Sequence, residues 1–257
     1  MKNQLPLKYQ LPLLVVAALL VAVSCDNQPT DSNNGPGDGE PFSHVRPPGS
    51  SALAFLQNDM FDELIVEIQY MPGYRPTDNA LEELRGFLTE HSGKSDVIIT
   101  EPEEVPSGGQ DAYTANDIRQ LEQEHRRYYT EGSVLASYNL FVDGRHTNEN
   151  VLGIAYYNTS NAYFGETIHD VSSPALGPSR SNVEGTVLLH EYGHLFGLVD
   201  NGIDMQEPHQ ENGPHCSENS CIMYHAMNTT NFFENLFDGS IPGLDAYCLS
   251  DLQAARE

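Results

Sequence analysis

The stretch that most constrains this chain runs Val187-Leu188-Leu189-His190-Glu191-Tyr192-Gly193-His194-Leu195-Phe196-Gly197-Leu198-Val199-Asp200. It contains H-E-x-x-H. Residues four apart share one face of a helix, so His190 and His194 can hold one Zn²⁺ between two imidazoles. Glu191 stands beside them, where a carboxylate can act on water next to the metal as general base and then as proton carrier. Ser181-Asn182-Val183-Glu184 reads as a capping box that starts the helix near Ser181. Val183, Val187 and Leu188 supply an apolar face, continued by Leu195 and Phe196. Gly197 lets the chain leave the helix with positive φ. Asp200 comes three residues later, and a turn there would return its carboxylate as third ligand. Two imidazoles, one carboxylate and one water make a tetrahedral catalytic site. His209 and His215 are rivals for the third place. A bare pentapeptide can arise by chance on an ordinary buried helix. The apolar run, the cap, the timed glycine and the third oxygen donor argue against chance here.

The pattern His190-Glu191-x-x-His194-x-x-Gly197-x-x-Asp200 resembles the metzincin zinc-binding signature. It is closest to the snapalysin-type form, with Asp where most metzincins have a third His. Downstream, Cys216-x4-Cys221-x-Met223 is similar to the archaemetzincin pattern, in which the methionine forms the Met-turn beneath the zinc. The likeness is strong over residues 181–200 and weaker over 216–225. It implies an α+β, zincin-like fold: a twisted mixed sheet with an antiparallel edge strand, an active-site helix and a small loop-rich C-terminal part. It also implies Met223 as a packing residue under the site. Many metzincins carry a tyrosine two positions after this methionine. Here His225 takes that place and Tyr224 stands one earlier, and either could steady a developing oxyanion.

Ahead of the site, Leu64-Ile65-Val66-Glu67-Ile68 reads as a strand and Thr77 to His91 as a helix buried through Ala80, Leu81, Leu84, Phe87 and Leu88. Val97 to Ile99 is a second strand, Thr114 to about Tyr129 a second helix and Ser133 to Val142 a third strand. This alternation predicts a mostly parallel sheet with crossover helices. Val151 to Tyr157 and Asn161 to Phe164 come next as strands. By the resemblance, one of them is the edge along which a substrate would lie as an added strand. Leu244 to Ala255 is a closing helix with Leu249, Leu252 and Ala255 facing in.

The N-terminus reads as a targeting segment over residues 1–24. Lys2 and Lys8 precede a thirteen-residue apolar run from Leu11 to Val23, too short for a comfortable membrane span. Small residues before Cys25 suggest a bacterial lipoprotein signal with Cys25 lipidated, although Ala22-x-Ser24 also fits ordinary signal peptidase. Residues 25–51 are rich in Pro, Gly, Asn and Asp, and read as a flexible tether to a domain over 52–257. These features predict an exported, membrane-anchored lipoprotein, with the membrane met only through the lipid. The chain carries 37 acidic residues against 12 basic, a formal net charge of −25. That excess argues against nucleic-acid and anionic-membrane partners. It suits a salty habitat or a cationic substrate.

Three cysteines besides Cys25 occur, at 216, 221 and 248. Outside the cytoplasm a disulfide within this trio, involving Cys248, is the more usual outcome. The archaemetzincin resemblance instead implies a structural zinc on cysteines, with Asp251 or His215 as the fourth ligand. Taken together, the residues and the resemblance predict a monomeric, zinc-dependent endopeptidase acting on peptides or proteins. Two other classes compete: an inactive zinc-containing surface binding lipoprotein and a zinc scavenger. Retention of Glu191 argues against the first, and the scattering of the ten histidines against the second.

Overall fold

The structure, a computed structural model, describes residues 41–172, 177–227, 229–230 and 240–257. The expected signal segment and Cys25 lie outside the described residues. Among the described residues, no helix is long and apolar enough to cross a membrane.

The central strand β1 (Glu63–Tyr70) pairs in parallel with β2 (Asp96–Ile99) on one side and β5 (Val134–Val142) on the other. The short β3 (Glu103–Glu104) also pairs with β1, and β4 (Ala112–Tyr113) pairs with β6 (Arg145–His146) in a separate ribbon. Beyond β5 come β8 (Ser160–Phe164), parallel to it, and then β7 (Gly153–Tyr157), antiparallel to β8 at the edge. The order is therefore β2-β1-β5-β8-β7. This is the α+β arrangement with an antiparallel edge that the family resemblance implied, added to the mostly parallel sheet that the alternation of elements predicted.

Both faces of β5 are covered, so its residues read as a near-continuous apolar run. Leu135 and Phe141 point into the main core with Leu64, Val66 and Ile68. Tyr138, Leu140 and Val142 point to the opposite layer with Ile118 and Phe164. The main core is closed by α1 (Ala52–Leu56), α2 (Asp78–His91), α5 (Arg180–Leu195) and α6 (Ala246–Arg256). On the other face, α3 (Ala115–His125) begins at a capping box in which Thr114 and Asp117 exchange bonds. It stops four residues short of the expected Tyr129. There Arg126 turns in to its buried partner Glu122, at 2.6 Å, and donates to the Ala136 carbonyl. The short α4 (Gly165–Val171) comes directly after β8. In α6, Cys248 and Leu252 face in, but Leu249 is exposed, contrary to expectation.

The last part of the expected tether is not free chain. Asn158 ties residues 43–51 to the turn between β7 and β8: its side chain donates to the Ser43 carbonyl and to Ser51 Oγ, and its backbone and side chain exchange bonds with the Arg46 backbone. His44 packs edge-on against Phe42 and Tyr129. The folded part thus begins upstream of residue 52.

Candidate metal centre

Helix α5 carries the motif, and from Val183 to Leu195 every residue is buried. Its N-cap is Ser179, whose side chain accepts from the Asn182 N–H at 3.2 Å, and not the predicted Ser181. Glu184, expected to close that cap, instead accepts from the backbone and hydroxyl of Thr77, the N-cap of α2. One carboxylate thereby locks two core helices together, which outweighs a local capping bond. Tyr192, inside the motif, anchors the helix to the sheet: its hydroxyl lies 2.8 Å from Ser137 Oγ and accepts from Asn139 at 2.9 Å. Gly193 faces the methionine of the downstream turn. A Cβ there would fall 2.1 Å from Met223 Sδ, so glycine is what allows Met223 to sit directly beneath the site.

The chain leaves α5 as predicted, through Gly197 at φ +71°. Beyond that glycine the backbone departs from expectation. Val199 and Asp200 also take positive φ, and the Asn201 and Ile203 N–H groups bond back to the Gly197 carbonyl. This tight turn leaves Asp200 exposed and outside the cluster of ligand atoms. Asp200, expected as third ligand, is thus not among the gathered donor atoms. The turn closes on itself before the carboxylate can fold back, and His215 arrives in its place.

His190, His194 and His215 bring one ring nitrogen each within 4.8 Å of one another. The His190 and His194 Nε2 atoms are 3.2 Å apart, and the His215 ring stacks on His190 with centroids 5.3 Å apart. His190 Nδ1 lies 2.8 Å from the Ile222 carbonyl, and His215 Nδ1 lies 2.9 Å from the Asn212 carbonyl. A carbonyl only accepts, so both Nδ1 atoms carry hydrogen and both Nε2 atoms present lone pairs. His194 Nδ1 is buried without a hydrogen-bond partner. Lone pairs converging in a buried place call for a shared electrophile, and the donor set fits a zinc-like ion. Burial drives His190 down to about 3, with His215 adding to the effect, and holds His194 well below and His215 below the ordinary imidazole range. All three are thus held neutral, the form that ligates metal.

Glu191 sits on the side facing the edge strand. Its Oε2 accepts from the Ala155 N–H at 2.6 Å. Gly153 makes room for it, since a Cβ there would lie 2.5 Å from Val187 Cγ1 and 3.0 Å from Glu191 Oε1. The edge strand and the helix therefore meet at the carboxylate. The Asn212 side-chain amide lies 3.2 Å from His225 Nδ1, which places His225 beside the His215 loop. Tyr224 packs on His225.

A second cluster adjoins the first. Cys216, Cys221, Cys248 and Asp245 bring one atom each within 4.8 Å of one another. The expected disulfide is absent: the three cysteines are free, with Cys221 and Cys248 sulfurs 3.6 Å apart. Burial raises the Cys216 thiol to about 12, and the contact between Cys221 and Cys248 pushes the Cys248 thiol upward while lowering Cys221. Backbone N–H groups two residues on donate to two of the sulfurs, Glu218 to Cys216 and Met223 to Cys221, each at 3.4 Å. Such bonds favour thiolates, and three sulfurs with a carboxylate fit a metal ion. The carboxylate is Asp245, not the expected Asp251 or His215. Asp251 instead accepts from the Gln206 N–H and lies 3.4 Å from His209 Nε2. His209 borders this cluster, 3.6 Å from Cys248 Sγ, and takes no part in the histidine group.

Among solved structures, the archaemetzincin of Methanopyrus kandleri superposes with a TM-score of 0.50 at 15% identity, covering 77% of this chain and 96% of that one. The fold is metzincin-like. Metalloproteinase-II from Bacteroides fragilis gives a TM-score of 0.43 at 14% identity, over 88% of this chain and 59% of that one. No protein-family model and no curated protein sequence matches the chain.

His215 was the residue that spacing alone undervalued. Its signal was its position directly before Cys216, the first cysteine of the Cys216-x4-Cys221-x-Met223 pattern.

Proposed function

We propose that the protein is a zinc-dependent endopeptidase, and the observation that carries this reading is the convergence of His190, His194 and His215 beside Glu191. The three neutral imidazoles would hold the ion. When bound, it would supply Lewis acidity to a carbonyl and make nearby water more acidic. Glu191 is spare for coordination and is positioned to take a proton from water and return one to a leaving amine. Its contact with the Ala155 N–H keeps the carboxylate turned toward the edge strand. A peptide laid along β7 would run past that carboxylate, with main-chain bonds fixing its register. The net charge of −25 would draw cationic peptides toward the surface. Export and lipid anchoring through Cys25, with a monomer acting at the cell envelope, belong to the same proposal.

The test is Glu191→Gln, which keeps shape and removes the basic oxygen. Folding and metal content should stay intact. Cleavage of a peptide library should fall by at least about 10²–10⁴-fold, the usual contribution of general acid–base assistance. Chelator should abolish cleavage by the wild type. Equal turnover in the variant would refute the role of Glu191. Bound zinc with no turnover in either protein would establish a binding protein in place of an enzyme.

A further inference from the structure

Strand β7 offers an added peptide a short span of backbone. The Phe164 N–H donates to the Leu152 carbonyl at 2.8 Å, and Gly153, Ile154 and Ala155 follow opposite Tyr163, Ala162 and Asn161. Facing residues of an antiparallel ladder alternate between bonded and non-bonded pairs. With Leu152 bonded, Gly153 and Ala155 are the non-bonded ones, and their N–H and C=O groups point away from β8. Glu191 Oε2 takes the Ala155 N–H on that outer side. Gly153 is buried, with α5 against its face, where a Cβ would strike Val187 and Glu191. Its N–H and C=O, and the C=O of Ala155, have no backbone partner among the described residues.

The chain itself closes both ends of this span. Upstream, Val151 forms an antiparallel bridge with Thr229. The Thr230 N–H donates to the Asn150 carbonyl at 3.2 Å, and the Thr230 hydroxyl donates to Asn150 Oδ1 at 3.1 Å. Thr229 is held in turn, its N–H and hydroxyl both donating to the Ala226 carbonyl, at 2.9 and 2.8 Å. A segment just past Met223 thus lies on the edge as an added strand would. Downstream, the ladder breaks in a bulge between Ala155 and Tyr157. There Arg119 of α3 donates to the Tyr156 carbonyl at 3.4 Å, its guanidinium 5.1 Å from the centre of the Tyr157 ring. Beyond the bulge comes Asn158, already tied to Ser43 and Ser51.

We propose that the site takes short oligopeptides, recognised through their main chain along the span Gly153 to Ala155, and that Thr229 and Thr230 are the stop that limits their length. This rests on the endopeptidase reading and narrows its substrate class. A peptide residue facing Gly153 can exchange two bonds with it. The residue facing Ala155 can only donate, because Glu191 holds the Ala155 N–H. A longer peptide gains no further ladder bond at either end. Each bond withheld forgoes about 2–10-fold in affinity. Thr229 and Thr230 set substrate length and touch no reacting atom.

The test is a length series on the zinc-loaded full-length protein. One cleavable peptide core is extended by a residue at a time on either side of the cut bond, and kcat/KM is measured for each member. In wild type it should level off once the peptide outgrows the span Gly153 to Ala155 on both sides. Thr230→Pro with Asn150→Ala removes the N–H donor and the side-chain bond that hold the stop in place. This variant should move the plateau outward on one side of the cut bond only, gaining about 2–10-fold per freed ladder bond, in KM and not in kcat. The wild-type series decides by itself should the variant misfold. A kcat/KM that keeps rising with length in wild type overturns the proposal and leaves the endopeptidase reading standing. So does a variant of native circular dichroism whose length profile matches wild type. Cleavage of no peptide of any length by the zinc-loaded wild type would end the endopeptidase reading and this proposal with it.

Discussion

Gly193→Ala tests the packing beneath the site, with Gly86→Ala as its opposite. Both glycines lie inside helices, Gly193 in α5 and Gly86 in α2. Replacing a helical glycine by alanine gains about 1 kcal/mol of intrinsic propensity. At Gly86 a Cβ would meet nothing within 4 Å, so the gain should appear in full. At Gly193 it would stand 2.1 Å from Met223 Sδ, 3.1 Å from Cε and 3.3 Å from Cγ. Ordinary contact between such atoms is about 3.5–4.0 Å, so the thioether must move by well over 1 Å in a site with no free surface. Overpacking of this kind costs about 1–3 kcal/mol. The two substitutions should therefore differ by about 1–3 kcal/mol, Gly86→Ala stabilising and Gly193→Ala neutral to destabilising. Denaturant unfolding of each variant, metal-free and metal-loaded, measures this. In a thermal scan each kcal/mol corresponds to about 2–4 °C at this chain length. Gly193→Ala should also lower metal affinity, because Met223 is bonded next to the residue that orients His190. If Gly193→Ala stabilises as much as Gly86→Ala and binds metal normally, the packing argument is wrong.

The same geometry sets other outcomes. His215→Ala should lose metal from the histidine centre on dialysis while Asp200→Ala retains it, and metal content measured for both distinguishes the two ligand assignments. His44 is pushed down to about 3, chiefly by burial and then by Arg126 and Arg46. The unfolded chain therefore binds the extra proton first, and His44's contribution to stability is present above its unfolded pKa near 6.5 and is lost as pH falls toward 3. His44→Phe should flatten the stability–pH curve in that window, as read by denaturant midpoints, and an unchanged slope would count against it. Arg126→Met strands Glu122 in the interior, at a cost of about 3–5 kcal/mol, whereas Arg126→Met with Glu122→Leu should recover much of it in the same unfolding assay.

The helix, the two motif histidines and the carboxylate between them were legible in the sequence because they are local. H-E-x-x-H fixes its own geometry once the backbone is helical, and the apolar flanks Val187, Leu188 and Leu195 state which way the helix faces. The succession of strands and helices along the chain was legible to the same extent, since period and turn residues act over a few positions, whereas the order β2-β1-β5-β8-β7 within the sheet is a tertiary outcome. The third member of the histidine group was decided elsewhere. Spacing favoured Asp200, but two further residues of positive φ after Gly197 closed the turn early and left that carboxylate in water. His215 reaches the site only because Cys216 bonds to Met223 and the Asn212 carbonyl orients the ring. Likewise Glu184 looked like half of a local cap and proved to join two helices through Thr77. The cysteines looked like a disulfide set and instead gather around Asp245, which comes from the far end of the chain. Local periodicity determines elements and the ligands one helix can offer. Which distant loop completes the site depends on backbone bonds formed only after the core has packed.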